Sequence, residues 1–124
     1  MAEPVKEALT ARLERLASDL PGVETGTSYG AMALKVAGKM IACARSDDVV
    51  VLSMPLDEKE HFIEMAPDIY FETPHYHGWP AILVHAGAID DEALRRRIAE
   101  AWQRRAPAKL RRAHRPEAAS IPRE

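Results

Sequence analysis

The chain has 124 residues, 47% of them apolar, with a formal net charge of −2 at pH 7. Alanine accounts for 21 of the apolar residues, which leaves 37 larger ones, enough for one compact core and one domain. The charge is divided, with 7 Lys/Arg against 16 Asp/Glu (net −9) in residues 1–94 and 10 against 3 (net +7) in residues 95–124, which excludes both a uniformly basic nucleic-acid coat and a uniformly acidic solvating chain.

Val5, Leu9, Leu13, Leu16 and Leu20 recur at spacings of three and four and predict an amphipathic first helix. Pro4 suits its first turn, Pro21-Gly22 its stop, and Lys6, Glu7, Arg12, Glu14, Arg15 and Asp19 its solvated face. From Val23 to Met54 the runs become β-like. Ala31–Val36 and Lys39–Arg45 flank Ala37-Gly38 and predict a hairpin. A two-residue turn pairs Leu34 with Ile41 and Met32 with Cys43 on a core face. Ala31, Ala33, Lys35, Met40, Ala42 and Ala44 then share the other face. Ser46-Asp47-Asp48 turns the chain into the strand Val49–Ser53.

Leu56–Met65 predicts a short second helix, anchored by Phe62, Ile63 and Met65 and ended by Pro67, with Asp57 and Glu60 spaced as a capping box. Two further strands, Ile69–Glu72 and Ala81–His85, are joined by a structured loop from Thr73 to Pro80. Asp90 is the expected N-cap of a last helix whose buried stripe is Leu94, Ile98, Ala101 and Trp102; Pro107 ends it or starts another short turn. Residues 1–112 form the expected domain and 113–124 a mobile polar tail. The predicted order is helix, three strands, short helix, two strands, helix. That is an α+β fold, an antiparallel sheet with its N- and C-terminal helices packed on one face.

Leu20-Pro21-Gly22-Val23-Glu24, Thr27-Ser28-Tyr29-Gly30, Leu34-Lys35-Val36-Ala37-Gly38-Lys39-Met40, Thr73-Pro74-His75-Tyr76 leading into Gly78-Trp79, and Ala101-Trp102 with Ala106-Pro107 occur in an order and spacing that resembles the MmcQ/YjbR family. The resemblance covers most of residues 5–110. It implies a CyaY-like (frataxin-like) fold and a DNA-binding role with a double-wing arrangement.

For DNA, the basic residues are Lys35, Lys39 and Arg45 on the hairpin, then Arg95, Arg96, Arg97, Arg104, Arg105, Lys109, Arg111 and Arg112 in the C-terminal third. Three consecutive helical arginines spread over about 200° of the circumference, so they cannot all face one partner. The alternative is a small-ligand or protein-interaction module built on the alanine face, with His75, Tyr76, His77 and Trp79 as its loop. On extended backbone His75 and His77 project to one side and, with Glu72 or His85, make a conceivable metal grip. No metal or other cofactor is assigned, because the common nucleotide, phosphate and zinc fingerprints are absent. An iron-chaperone role needs an acidic ridge, which Lys6, Arg12 and Arg15 interrupt. No catalytic group is expected. Cys43 reads as a buried strand residue, and Thr27, Ser28 and Tyr29 lack a nucleophile elbow. The single cysteine, the absence of a leader-like N-terminus and the shortness of the apolar runs give a cytoplasmic expectation, without membrane contact, as a monomer or weak homodimer.

Overall fold

The computed structural model describes residues 7–28 and 30–114. Its elements are α1 (Leu9–Leu16), β1 (Val23–Ser28), β2 (Ala31–Val36), β3 (Lys39–Ala44), β4 (Val49–Ser53), α2 (Leu56–Met65), β5 (Tyr70–Phe71), β6 (Ala81–His85), α3 (Asp91–Arg105) and α4 (Ala108–Ala113), with a 3-10 turn at Pro74–Tyr76. The strands form one antiparallel sheet in the order β1-β2-β3-β4-β6-β5. α1 and α3 lie side by side across its centre, and α2 packs against β5 and β6.

One sheet face carries the large residues Leu34, Val36, Ile41, Val50, Leu52, Ile82 and Val84. Leu13 and Leu16 of α1 and Leu94, Ile98 and Trp102 of α3 close over them, so this layer holds most of the core. Each such side chain contributes about 1.5–3 kcal/mol by leaving water. The Trp102 indole N–H donates to the Pro21 carbonyl at 2.9 Å, which satisfies its polar atom inside that layer. Arg12 ties α1 to the segment before α3. Its Nε donates to Asp91 Oδ1, and its two terminal nitrogens donate to the carbonyls of Ala86 and Ile89, all at 2.7 Å.

The hairpin turn is as expected, with Ala37 at φ 52° and Gly38 at φ 79°, the conformation that matches the strand twist. Its register is not. Lys35 pairs with Met40 but Leu34 pairs with Ala42, so Ile41 is an extra residue in a β-bulge. Beyond the bulge every β3 residue is displaced by one. Cys43 therefore lies opposite Ala33 and joins the second face, whereas Ala42 and Ala44 move to the helix-covered core.

Other expectations also shift. β1 is a fourth strand of the meander, α1 stops at Leu16 rather than at Pro21-Gly22, and β5 is shorter than Ile69–Glu72. α2 starts after Pro55 without a side-chain cap, so Asp57 lies inside the first turn and forms no capping box. Met65 is exposed and anchors nothing, whereas Lys59 of the same helix is buried. Asp90 does cap α3, accepting from the Ala93 amide at 2.7 Å. Val5, Pro4, Lys6, Tyr29 and the tail from 115 onward lie outside the described residues, and Ala113 closes α4.

Candidate functional site

Among the described residues no helix covers the second face of the sheet. Its centre is Ala33, Cys43, Val51 and Leu83, with Ala31, Met40, Val49, Phe71, Tyr76 and Ala81 packed around them. The small side chains of β2 keep this surface shallow. Strand alternation adds Lys35 from β2 and Glu24 from β1, which are paired in register. Arg45 follows β3 at the other end. Its guanidinium lies 5.5 Å from the centroid of the Tyr76 ring and donates to the Tyr76 hydroxyl at 3.3 Å. Phe71 and His85 stack at 4.1 Å between centroids, 16° from parallel.

The loop between β5 and β6 forms one border of this face. Pro74 and Pro80 restrict it, and Trp79 stands 60% exposed near its end. Lys59, from α2, donates to the carbonyls of Tyr76 at 2.7 Å and Trp79 at 3.0 Å. Its Nζ also lies 2.7 Å from Glu72 Oε1, while Glu72 Oε2 is 2.9 Å from His77 Nδ1. Hydrogen bonding from Lys59, and then from His77, holds the Glu72 carboxyl below its ordinary value of 4.5. Neither Lys59 nor Glu72 stands out in the sequence as a loop-holding pair, because a lysine in an acidic helix reads as solvated.

The basic residues do not form one surface. Lys39 pairs with Val36 and so points to the opposite side of the sheet from Lys35. Arg97 has only 11% of its side chain exposed, stacks 4.6 Å from the Phe62 ring and pairs with Glu100 at 3.2 Å. Arg104 donates to the Ser53 carbonyl at 3.1 Å and lies 3.4 Å from Glu58, and Arg105 donates to the Ser53 hydroxyl at 3.1 Å. These three arginines fasten α3 to its neighbours. Arg111 donates to the Ala106 carbonyl, inside its own segment. Lys109 and Arg112 are exposed on α4. Arg95 and Arg96 line a separate cleft of about 900 Å³, beside Asp19, Asp90 and Glu92.

The two loop histidines part company as well. His75 meets Tyr76 edge-on at 5.0 Å, His77 is held by Glu72, and His85 is stacked on Phe71. Among the described residues no cluster of three His, Cys, Asp or Glu side chains is placed to hold a metal ion. Burial raises the pKa of the Cys43 thiol, more than Arg45 lowers it. Thr27 and Ser28 stand on the edge strand β1, paired with Met32 and Ala31. No helix among the described residues is long and apolar enough to cross a membrane.

The YjbR family profile matches residues 18–104. Uncharacterized proteins of Mycobacterium bovis and of two Mycobacterium tuberculosis strains are similar to the chain, each 36% identical over 73 residues, or 59% of this chain and 50% of the relative. The chain thus spans about half the length of the curated relatives it matches. No solved structure matches it.

Proposed function

The chain belongs to the YjbR family, and from that premise we propose that it is a non-catalytic nucleic-acid-binding domain whose working surface is the helix-free face of the sheet. The reading is supported by one juxtaposition. Lys35 and Arg45 stand on the same face as Phe71 and Tyr76, with Trp79 and His75 on the loop beside it. Cations interleaved with aromatic rings suit a single strand, whose unstacked bases offer flat faces and whose phosphates seek positive charge. A shallow sheet of small residues lets a backbone approach closely. The basic third of the chain contributes less than its charge suggests, because Arg97, Arg104 and Arg105 are already engaged within the fold.

A labelled single-stranded oligonucleotide and its duplex, titrated by fluorescence anisotropy over a range of salt concentrations, test this. The single strand is expected to bind more tightly, with affinity falling as salt rises. Substituting Lys35→Gln and Arg45→Gln together should flatten the salt slope by about 1.4, the value for losing two phosphate contacts on a single strand. Lys39→Gln serves as the control on the opposite side and should change little. Undetectable binding of both probes at low salt would refute the nucleic-acid reading. A second reading, a protein or small-ligand interaction surface on this face, is favoured by the 60% exposure of Trp79. Duplex and single strand binding equally weakly, with no salt dependence, would favour it.

A further inference from the structure

We propose that Lys59 is the positioning residue of the loop border, setting where Tyr76 and Trp79 stand before any ligand arrives. The inference rests on reading the helix-free face as a nucleic-acid surface. Lys59 is 2% exposed, and its ammonium meets three acceptors: the Tyr76 carbonyl, the Trp79 carbonyl and the Glu72 carboxylate. An ammonium has three protons, so the group is fully used and leaves none for a ligand. Its acceptors are distributed along the loop, at its entry, its middle and its exit. The backbone between them is already tight, with the Tyr76 amide donating to Thr73 at 2.9 Å and the Trp79 amide donating to Tyr76 at 3.0 Å.

An apolar residue at position 59 would pack α2 without the desolvation cost of a buried charge. The lysine does something packing does not, which is to fix two aromatic residues by their main-chain oxygens. Without it, each carbonyl keeps only an amide donor, Tyr76 from Trp79 at 3.0 Å and Trp79 from Ala81 at 2.8 Å, and the cross-link from α2 that holds the loop in place is gone. Tyr76 and Trp79 would then be ordered only on binding. Immobilising two such side chains at that point corresponds to about a tenfold loss of affinity.

The test compares wild type with Lys59→Met in oligothymidylate binding, salt slope and acrylamide quenching of tryptophan. Trp102 is 1% exposed, so quenchable emission comes from Trp79. Lys59→Met is expected to weaken binding about tenfold, to raise the quenching of Trp79 and to leave the salt slope unchanged, since Lys59 touches no phosphate. A folded Lys59→Met with wild-type affinity and quenching overturns the proposal. A flattened slope also overturns it, by making Lys59 a direct contact. If the wild type binds no oligonucleotide, the functional reading fails while quenching still judges the hold of Lys59 on the loop. Should Lys59→Met not fold, Glu72→Ala removes one acceptor from the exposed side. Unchanged Trp79 quenching in that variant counts against the proposal.

Discussion

The two faces of the sheet are built from the same six strands and reach closure differently. On the covered face, bulky Leu34, Val36, Ile41, Leu52 and Ile82 meet α1 and α3, so burial comes from elements distant in sequence. On the other face, Ala33, Cys43, Val51 and Leu83 are nearly as inaccessible, yet they are screened by neighbours on the sheet and by the loop side chain of Tyr76. The difference separates two tasks. Large side chains under helices supply folding energy, whereas the second face, edged by Met40, Phe71 and Tyr76 rather than by helices, leaves a surface that a ligand can approach.

If that division is right, truncations on the two faces should cost unequal amounts. Ile98→Ala empties a position enclosed by both layers and should destabilise by about 4 kcal/mol in denaturant unfolding. Leu83→Ala, with no helix above it to leave a sealed cavity, should cost about 2 kcal/mol, the low end for such changes. Equal losses would break the comparison and make the second face as much a core as the first.

The same contrast explains what could be read from the residues alone. The helical stripe of Leu94, Ile98 and Trp102, the Ala37-Gly38 turn and the Asp90 cap are local signals, and each is where its neighbours in sequence put it. The bulge at Ile41 is not local. It results from seating both Ile41 and Ala42 under the helices, and it alone decides which residues of β3 reach the candidate site. β1 carries no strand signal of its own because Glu24-Thr25-Gly26-Thr27 has no apolar alternation, and edge position frees it from needing any. Lys59 was invisible for the opposite reason, since nothing in a sequence marks the carbonyls that will surround a lysine. Composition shows where the basic residues are but not their partners, which lie up to 79 positions away, as for Arg12 and Asp91.

Acid provides a smaller test, because each side has its own tethering carboxylate. Asp91 is held below its ordinary value of 3.8 by hydrogen bonds from Arg12 and then Arg15, and Glu72 below 4.5 by those from Lys59 and His77. A carboxyl whose pKa is depressed in the folded state stabilises fully above its unfolded pKa. That stability is lost as pH falls through the folded value. Unfolding free energy should therefore decline below about pH 4.5, with each group contributing at most about 1 kcal/mol because both are partly solvated. Asp91→Asn should remove part of that decline without altering Trp79 quenching. Glu72→Gln should remove part of it and alter the quenching. Identical responses in the two variants would deny the loop its separate tether.

The smallest stability change expected bears most directly on the helix-free face. Gly26 lies on β1 opposite Ala33, at an ordinary negative φ, and a Cβ built there would meet the Lys35 side-chain carbons at 3.7 Å, a normal contact. Nothing in the fold requires glycine. Gly26→Ala should leave stability unchanged or raise it by about 0.5 kcal/mol, by narrowing the unfolded ensemble. Its use is then to be sought on the surface, where a missing side chain beside Lys35 leaves room for another molecule. Gly26→Leu would fill that room and press on the Lys35 stem while remaining on an edge strand that tolerates it. If the face takes a nucleic acid, Gly26→Leu should weaken oligonucleotide binding with thermal stability retained. Undiminished binding would confine the working surface to the Arg45–Tyr76 end of the sheet.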